Sequence, residues 1–168
     1  MAGTIIVAWG ANLTPPGVTT SQAFAGVVKA LERRGLRVVR ASRLWRSKAW
    51  PNPDDPPYHN AVLLVESDLA PEALMTLLHE VEAEGGRRRE AGVVNAPRPL
   101  DLDLISYGDM VQQGALTLPH PRAHERGFVM GPLAEIAPGW VHPVLRRTAA
   151  ELYAEAGVGR DATPLPDM

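Results

Sequence analysis

Cysteine is absent from this chain, so no disulfide can staple it and no thiolate can act as nucleophile or metal ligand. Aromatic residues are scarce, with two Phe, three Tyr and four Trp among 168 residues, so each one beside a polar cluster is worth placing. Positive charge is not in excess: 17 Lys and Arg stand against 19 Asp and Glu, for a net charge of -2. That balance argues against broad binding to a nucleic-acid backbone, which calls for a basic face, while leaving room for a local basic pocket. No apolar run approaches the ~18 residues that cross a bilayer. The segment 1–7 carries neither the basic region nor the cleavage pattern of a signal peptide. The expectation is a cytoplasmic protein with no membrane or nucleic-acid partner, and nothing in the chain demands more than a monomer. No internal repeat is present. The two common phosphate cradles, a Walker loop and a kinase glycine-rich loop, are missing too.

Proline, in contrast, is plentiful, with sixteen residues gathered in loops such as 51–57. Between the loops the apolar pattern is regular. Thr4 to Trp9 is a β-branched apolar run closed by Gly10, a strand signal. Phe24, Val27, Val28 and Leu31 form the i, i+3, i+4, i+7 stripe of a helix over 21–34, stopped by Gly35. The spacing predicts strands over 36–47 and 58–66, then a helix from Pro71 to Gly85 with Leu74, Leu77, Leu78 and Val81 inward. A fourth strand follows at 100–107. The order is β-α-β-β-α-β, that of an α+β ferredoxin-like sandwich: an antiparallel sheet with both helices on one face. Further helical pieces are expected near 129–136 and 147–156. The length fits one domain over 1–157. Residues 158–168 lack periodicity and are expected to be disordered.

The densest signal is Pro97-Arg98-Pro99-Leu100-Asp101-Leu102-Asp103-Leu104-Ile105. Leucines alternating with aspartates have the period of a half-buried strand, so the leucines face a core and Asp101 and Asp103 share the other face. Two carboxylates that close repel unless one is protonated or a cation lies between them, and a hard divalent ion suits oxygen donors. Arg98 adds a planar fork matched to phosphate. Other groups are candidates to join them. Arg87-Arg88-Arg89 follows the second helix. His120, Arg126 and Phe128 share a proline-punctuated loop, where binding residues collect. Tyr58 and Asn60 fall on one strand face, able to stack on and hydrogen-bond a flat heterocycle. Glu82 reads as a solvent-facing acid beside Glu80 and Glu84. Acids for Mg²⁺, arginines, a histidine and an aromatic set suggest transfer of a phosphoryl-type group from a nucleotide. Another Asp-x-Asp metal enzyme, such as a nucleotidyltransferase or nuclease, and a non-catalytic ferredoxin-like RNA-binding module are the alternatives.

The stretch Ala96 to Ile105 resembles the signature of the 6-hydroxymethyl-7,8-dihydropterin pyrophosphokinases of folate biosynthesis. The likeness extends over Gly10-Ala11-Asn12-Leu13, Tyr58-His59-Asn60-Ala61, Glu82 with Gly86-Arg87, Leu118-Pro119-His120, and Arg126-Gly127-Phe128 through Pro138. It implies a ferredoxin-like core and Mg²⁺-dependent transfer of the β,γ-pyrophosphate of ATP to the pterin hydroxymethyl, releasing AMP. By position, Asp101 and Asp103 would hold two magnesium ions. Tyr58 and Phe128 would sandwich the pterin, with Asn60 on its edge and the backbone near Ser47 and Ala49 helping. Arg87 and Arg98 would reach the transferred phosphates. Glu82, Arg89, Arg98, Thr117, His120 and Arg126 would serve ATP. Departures from the commonest pattern fall at Lys48-Ala49-Trp50, Val93-Val94-Asn95, Ala115 and Pro121. The loops 48–57 and 86–97 are expected to act as lids that exclude water.

Overall fold

The computed structural model describes residues 4–12, 17–48, 54, 56–84 and 100–165. In chain order these form β1 (Ile5–Ala11), α1 (Thr20–Arg33), β2 (Arg37–Ala41), β3 (Trp45–Ser47), β4 (Tyr58–Glu66), α2 (Pro71–Glu84) and β5 (Asp101–Tyr107). A 3-10 turn (Ala123–Glu125), α3 (Gly127–Ile136), α4 (Ala149–Glu155) and β6 (Thr163–Pro164) follow. Every strand pairing is antiparallel, and the sheet order is β5-β1-β4-β3-β6, with β2 also on β4. If β2 and β3 count as one strand, this is the ferredoxin-like order expected from the sequence.

Strand alternation divides the apolar residues into two cores, one on each face of the sheet. Ile5, Val7, Trp9, Leu63, Leu102 and Leu104 pack with Leu31 of α1 and Leu74, Leu78 and Val81 of α2. On the opposite face Ile6, Val62 and Ile105 pack with Val129, Met130 and Leu133 of α3 and Leu152 of α4. The C-terminal helices thus form a third layer. The helix ends follow local chemistry. Thr19 caps α1 in a reciprocal box with Gln22, and Thr148 caps α4 with Glu151. Gly35, at φ 93°, takes the left-handed turn after α1.

The single strand expected over 36–47 is two. Register against β4 shifts between Val38 and Arg40, and again between Ala41 and Trp45. At the break Ser42 uses its side chain in the ladder: Val62 N–H donates to Ser42 Oγ (2.9 Å), and that hydroxyl donates to Arg43 O (2.8 Å). A hydroxyl that replaces backbone groups interrupts a strand without disturbing its apolar pattern.

The tail expected to be disordered from 158 is placed as far as Leu165. Val158 N–H donates to Glu125 O (3.0 Å), Gly127 N–H to Val158 O (2.7 Å), and Leu165 N–H to Leu44 O (2.8 Å). Ala162 is buried, and β6 pairs with β3. Backbone docking of this kind needs no side-chain periodicity, which is why the sequence pattern does not reveal it.

Trp45 joins β3 to α3. It is 5% exposed, its Nε1–H donates to Glu135 Oε1 (2.9 Å), and Arg43 N–H donates to Glu135 Oε2 (2.9 Å). Its ring lies on Gly131, where an added Cβ would stand 2.6 Å from Cζ3. Gly131→Ala should therefore destabilise the fold by about 1–3 kcal/mol through overpacking, outweighing the ~0.5–1 kcal/mol that alanine gains over glycine in a helix. A lowered urea midpoint is expected; a raised one would show that Trp45 yields freely.

Candidate active site

The site begins with β5. Leu100, Leu102 and Leu104 are 3%, 0% and 2% exposed in the core under α1 and α2, whereas Asp101 and Asp103 are half-buried. Alternation puts both acids on the sheet face that carries α3 and α4. The two residues opposite them on β1 are small: Asp103 pairs with Ala8 and Asp101 with Gly10. Gly10 also pairs with Asn60 of β4, so Asn60, Gly10 and Asp101 stand in line across three strands. A Cβ on Gly10 would lie 2.9 Å from Asn60 Oδ1. Glycine there leaves the floor between the amide and the acid open. Gly10 is not among the site residues expected from the sequence, where its signal is a Gly closing an apolar strand.

β3 and β4 extend this face. Asn60 pairs with Trp45 and Tyr58 with Ser47, so Tyr58, Asn60 and Ser47 point the same way as the two acids. Tyr58 and Asn60 are half-buried and Ser47 is buried.

The loop after β5 brings the third group. His120 N–H donates to Ile105 O (2.8 Å), which ties the loop to the strand carrying the acids. Arg122 N–H donates to His120 Nδ1 (3.1 Å). Nδ1 is therefore an acceptor, and in the neutral ring the proton sits on Nε2. Burial, and next the nearby Arg126 guanidinium, push His120 down to about 4, while the Asp101 carboxylate pulls the other way. His120, Arg126 and Asp101 thus share one electrostatic neighbourhood. The Arg126 guanidinium carbon lies 5.7 Å from the centre of the Phe128 ring, a cation–π distance. Thr117 is half-buried in the turn before this loop, with its hydroxyl near Gly114 O at 3.5 Å.

Glu82 departs from its sequence reading. It is 1% exposed rather than solvent-facing, and Leu102 N–H donates to its Oε2 (3.2 Å). β5 is the edge strand of the sheet. A buried carboxylate accepting an edge-strand N–H holds the segment between the two aspartates. Glu82 lies one residue after the inward-facing Val81, so an acidic helix face and a buried acid look alike in sequence. Ala49, Arg87, Arg89 and Arg98 lie outside the described residues, as do most of the two loops expected to be lids.

Among the described residues, no three His, Asp or Glu side chains gather as a metal cage. The arrangement offers paired acids, a neutral imidazole, a guanidinium beside an aromatic ring, and an amide across an open glycine. The family model for 7,8-dihydro-6-hydroxymethylpterin-pyrophosphokinase (HPPK) matches residues 6–138. The chain belongs to the HPPK family. It is 42% identical over 122 residues to a 2-amino-4-hydroxy-6-hydroxymethyldihydropteridine pyrophosphokinase of Synechocystis, covering 72% of this chain and 61% of that protein. Over 141 residues it is 36% identical to the Haemophilus influenzae protein of the same name, covering 83% and 85%. Plasmodium falciparum HPPK-DHPS shares the fold at TM-score 0.66 and 12% identity, over 92% of this chain. This chain spans 44% of that one and about three fifths of the Synechocystis relative. The HPPK match includes every candidate site residue named above.

A histidine held at about 4 when folded and 6.5 when free binds its proton first in the unfolded chain. The stability it contributes is present above pH 6.5 and lost as pH falls through about 4. In the ligand-free protein, the His120 ring signals in ¹H–¹³C NMR should titrate near pH 4 and stay flat from about pH 6 upward. A midpoint near 6.5 would contradict the burial and the influence of the Arg126 charge.

Proposed function

We propose that this protein transfers the pyrophosphoryl group of ATP to the hydroxymethyl group of 6-hydroxymethyl-7,8-dihydropterin, releasing AMP, in folate synthesis. The observation that carries the reading is that Asp101 and Asp103 share one face of β5, in line with Asn60 across Gly10, within the HPPK match. The same match favours this reading over another Asp-x-Asp enzyme or an RNA-binding module.

The substrate hydroxyl oxygen attacks the β-phosphorus. The bond from that phosphorus to the oxygen bridging the α-phosphate breaks, AMP leaves with the electron pair, and the hydroxyl proton is released to solvent. No protein nucleophile is required, so positioning and neutralisation of charge do the work. Tyr58 and Phe128 hold the pterin ring between them, and Asn60 reads its edge through an amide that both donates and accepts. The backbone near Ser47 and Ala49 completes that side. His120 Nε2–H and the Arg126 guanidinium donate to ATP oxygens, with Thr117, Arg89 and Arg98 on the same substrate. Because His120 is neutral at working pH, it stays a hydrogen-bond donor without adding repulsion to Arg126. Arg87 and Arg98 reach the transferred phosphates. Glu82 serves the nucleotide side by holding Leu102 between the acids.

A pair of carboxylates fits Mg²⁺, which keeps waters and substrate phosphates among its ligands. Asp101 and Asp103 would hold it, as two ions. When bound it neutralises the polyphosphate charge. A monomer acting on small molecules in the cytoplasm is the rest of this reading. No described helix is long and apolar enough to cross a membrane.

The test is incubation with ATP, Mg²⁺ and the hydroxymethyl dihydropterin, following AMP. Wild type should form one AMP per pyrophosphorylated pterin. Asp101→Ala and Asp103→Ala should each lower kcat by at least about 10³-fold, as expected for loss of charge neutralisation, while the folded variants still bind pterin. Near-normal turnover in either folded variant would refute the metal-holding role. AMP formation independent of pterin would refute the substrate.

A further inference from the structure

The C-terminal segment 157–165 lies beyond residue 138, where the family match ends, and the function above leaves it idle. Its contacts are concentrated on two places. At one end it brackets Arg126: Val158 N–H donates to Glu125 O (3.0 Å), Gly127 N–H donates to Val158 O (2.7 Å), and Arg126 and Val158 form a parallel bridge. There the two backbones touch so closely that a Cβ on Gly127 would meet Gly159 O at 2.9 Å. Gly159, at φ 69°, lies under the Phe128 ring, where an added Cβ would stand 2.4 Å from Cδ1. At the other end Lys48 N–H donates to Asp161 Oδ2 (2.7 Å), and β6 pairs Thr163 with Arg46 and Pro164 with Trp45. Between these anchors Ala162 is buried. The segment therefore spans from the start of α3, with Arg126 at its N-cap and Phe128 in its first turn, to the end of β3, which carries Ser47.

We infer that residues 157–165 form a strap that positions the pterin side of the site, with Gly159 setting the Phe128 ring and Asp161 holding Lys48 next to Ser47. Neither residue touches substrate; both are positioning residues. The physical reason is distance control. A flat ring held between two aromatic faces is sensitive to small changes in their spacing. Phe128 and Ser47 belong to different elements, α3 and β3, and a shift of either one alters the gap. Trp45 and Glu135 join those elements at the start of β3 and near the end of α3, and the strap joins them again beside Phe128 and Ser47. Glycine at 159 is required twice, by its positive φ and by the ring above it. This inference rests on the reading of Phe128 as a pterin-stacking residue.

The experiment compares Gly159→Ala, Asp161→Ala, Asp161→Asn and Phe128→Ala in the full chain, with KM for pterin, KM for ATP, kcat and urea midpoint measured for each. Gly159→Ala displaces the ring. Asp161→Ala removes the acceptor for Lys48 N–H, and Asp161→Asn retains one. The strap predicts a rise in pterin KM of roughly tenfold for Gly159→Ala and Asp161→Ala, with ATP KM and kcat held within about twofold. It also predicts near wild-type values for Asp161→Asn. Unchanged pterin KM in both alanine variants would overturn it, as would pterin and ATP KM rising together in step with lost stability. Phe128→Ala separates the two claims. If it raises pterin KM while the strap variants do not, the strap alone is wrong. If it leaves pterin KM unchanged, the stacking role fails and takes the strap's purpose with it.

Discussion

The register of β5 against β1 is the constraint on which the remaining structure depends. Trp9 faces Leu102 and Val7 faces Leu104, so two pairs of large apolar side chains interlock under α1 and α2. A slip of one residue would turn Leu100, Leu102 and Leu104 outward, at roughly 1.5–3 kcal/mol each. It would also drive two carboxylates into an apolar layer. The combined loss rivals the ~5–15 kcal/mol by which an ordinary domain is stable at all. The acids are thus held on the α3 side by packing that occurs entirely on the other side of the sheet.

Holding an edge strand in register still leaves its outer side to be dealt with. Glu82 does this from the end of α2 by accepting the Leu102 N–H. The loop after β5 then folds back through His120 N–H to Ile105 O, which ties the imidazole's loop to the strand of the acids. Arg126, the N-cap of α3, and Phe128 in its first turn arrive with that helix, which packs on the same face through Val129, Met130 and Leu133. The site is therefore the product of both layers. One helix pair fixes the strand, and on the other side the loop after β5 and the start of α3 bring His120, Arg126 and Phe128 to the face that carries its acids.

Much of this was legible in the sequence, because it rests on alternation. The placement of Asp101 and Asp103, the shared face of Tyr58 and Asn60, and the element order all follow from period-two and period-3.6 patterns. What escaped is what carries no period. The break in 36–47 depends on one serine hydroxyl entering the ladder. The burial of Glu82 depends on an edge N–H that only the folded sheet presents. The docking of 158–165 is made of backbone hydrogen bonds to Glu125, Gly127 and Leu44, which any sequence without a clash can supply. The open floor at Gly10 appears only once Asn60 and Asp101 are brought to either side of it. Local pattern fixed the strands, whereas long-range neighbours fixed the exceptions.

The proposed transfer requires divalent cations held on the α3 face of β5 beneath a polyphosphate. Paramagnetic Mn²⁺ added with a non-hydrolysable ATP analogue reads this directly through broadening of backbone amide signals. Broadening should be strongest at Asp101 and Asp103 and reach Ala8, Gly10 and Asn60 across the sheet. It should vanish in a folded Asp101→Asn, Asp103→Asn double variant. Broadening centred elsewhere, or undiminished in that variant, would contradict the account.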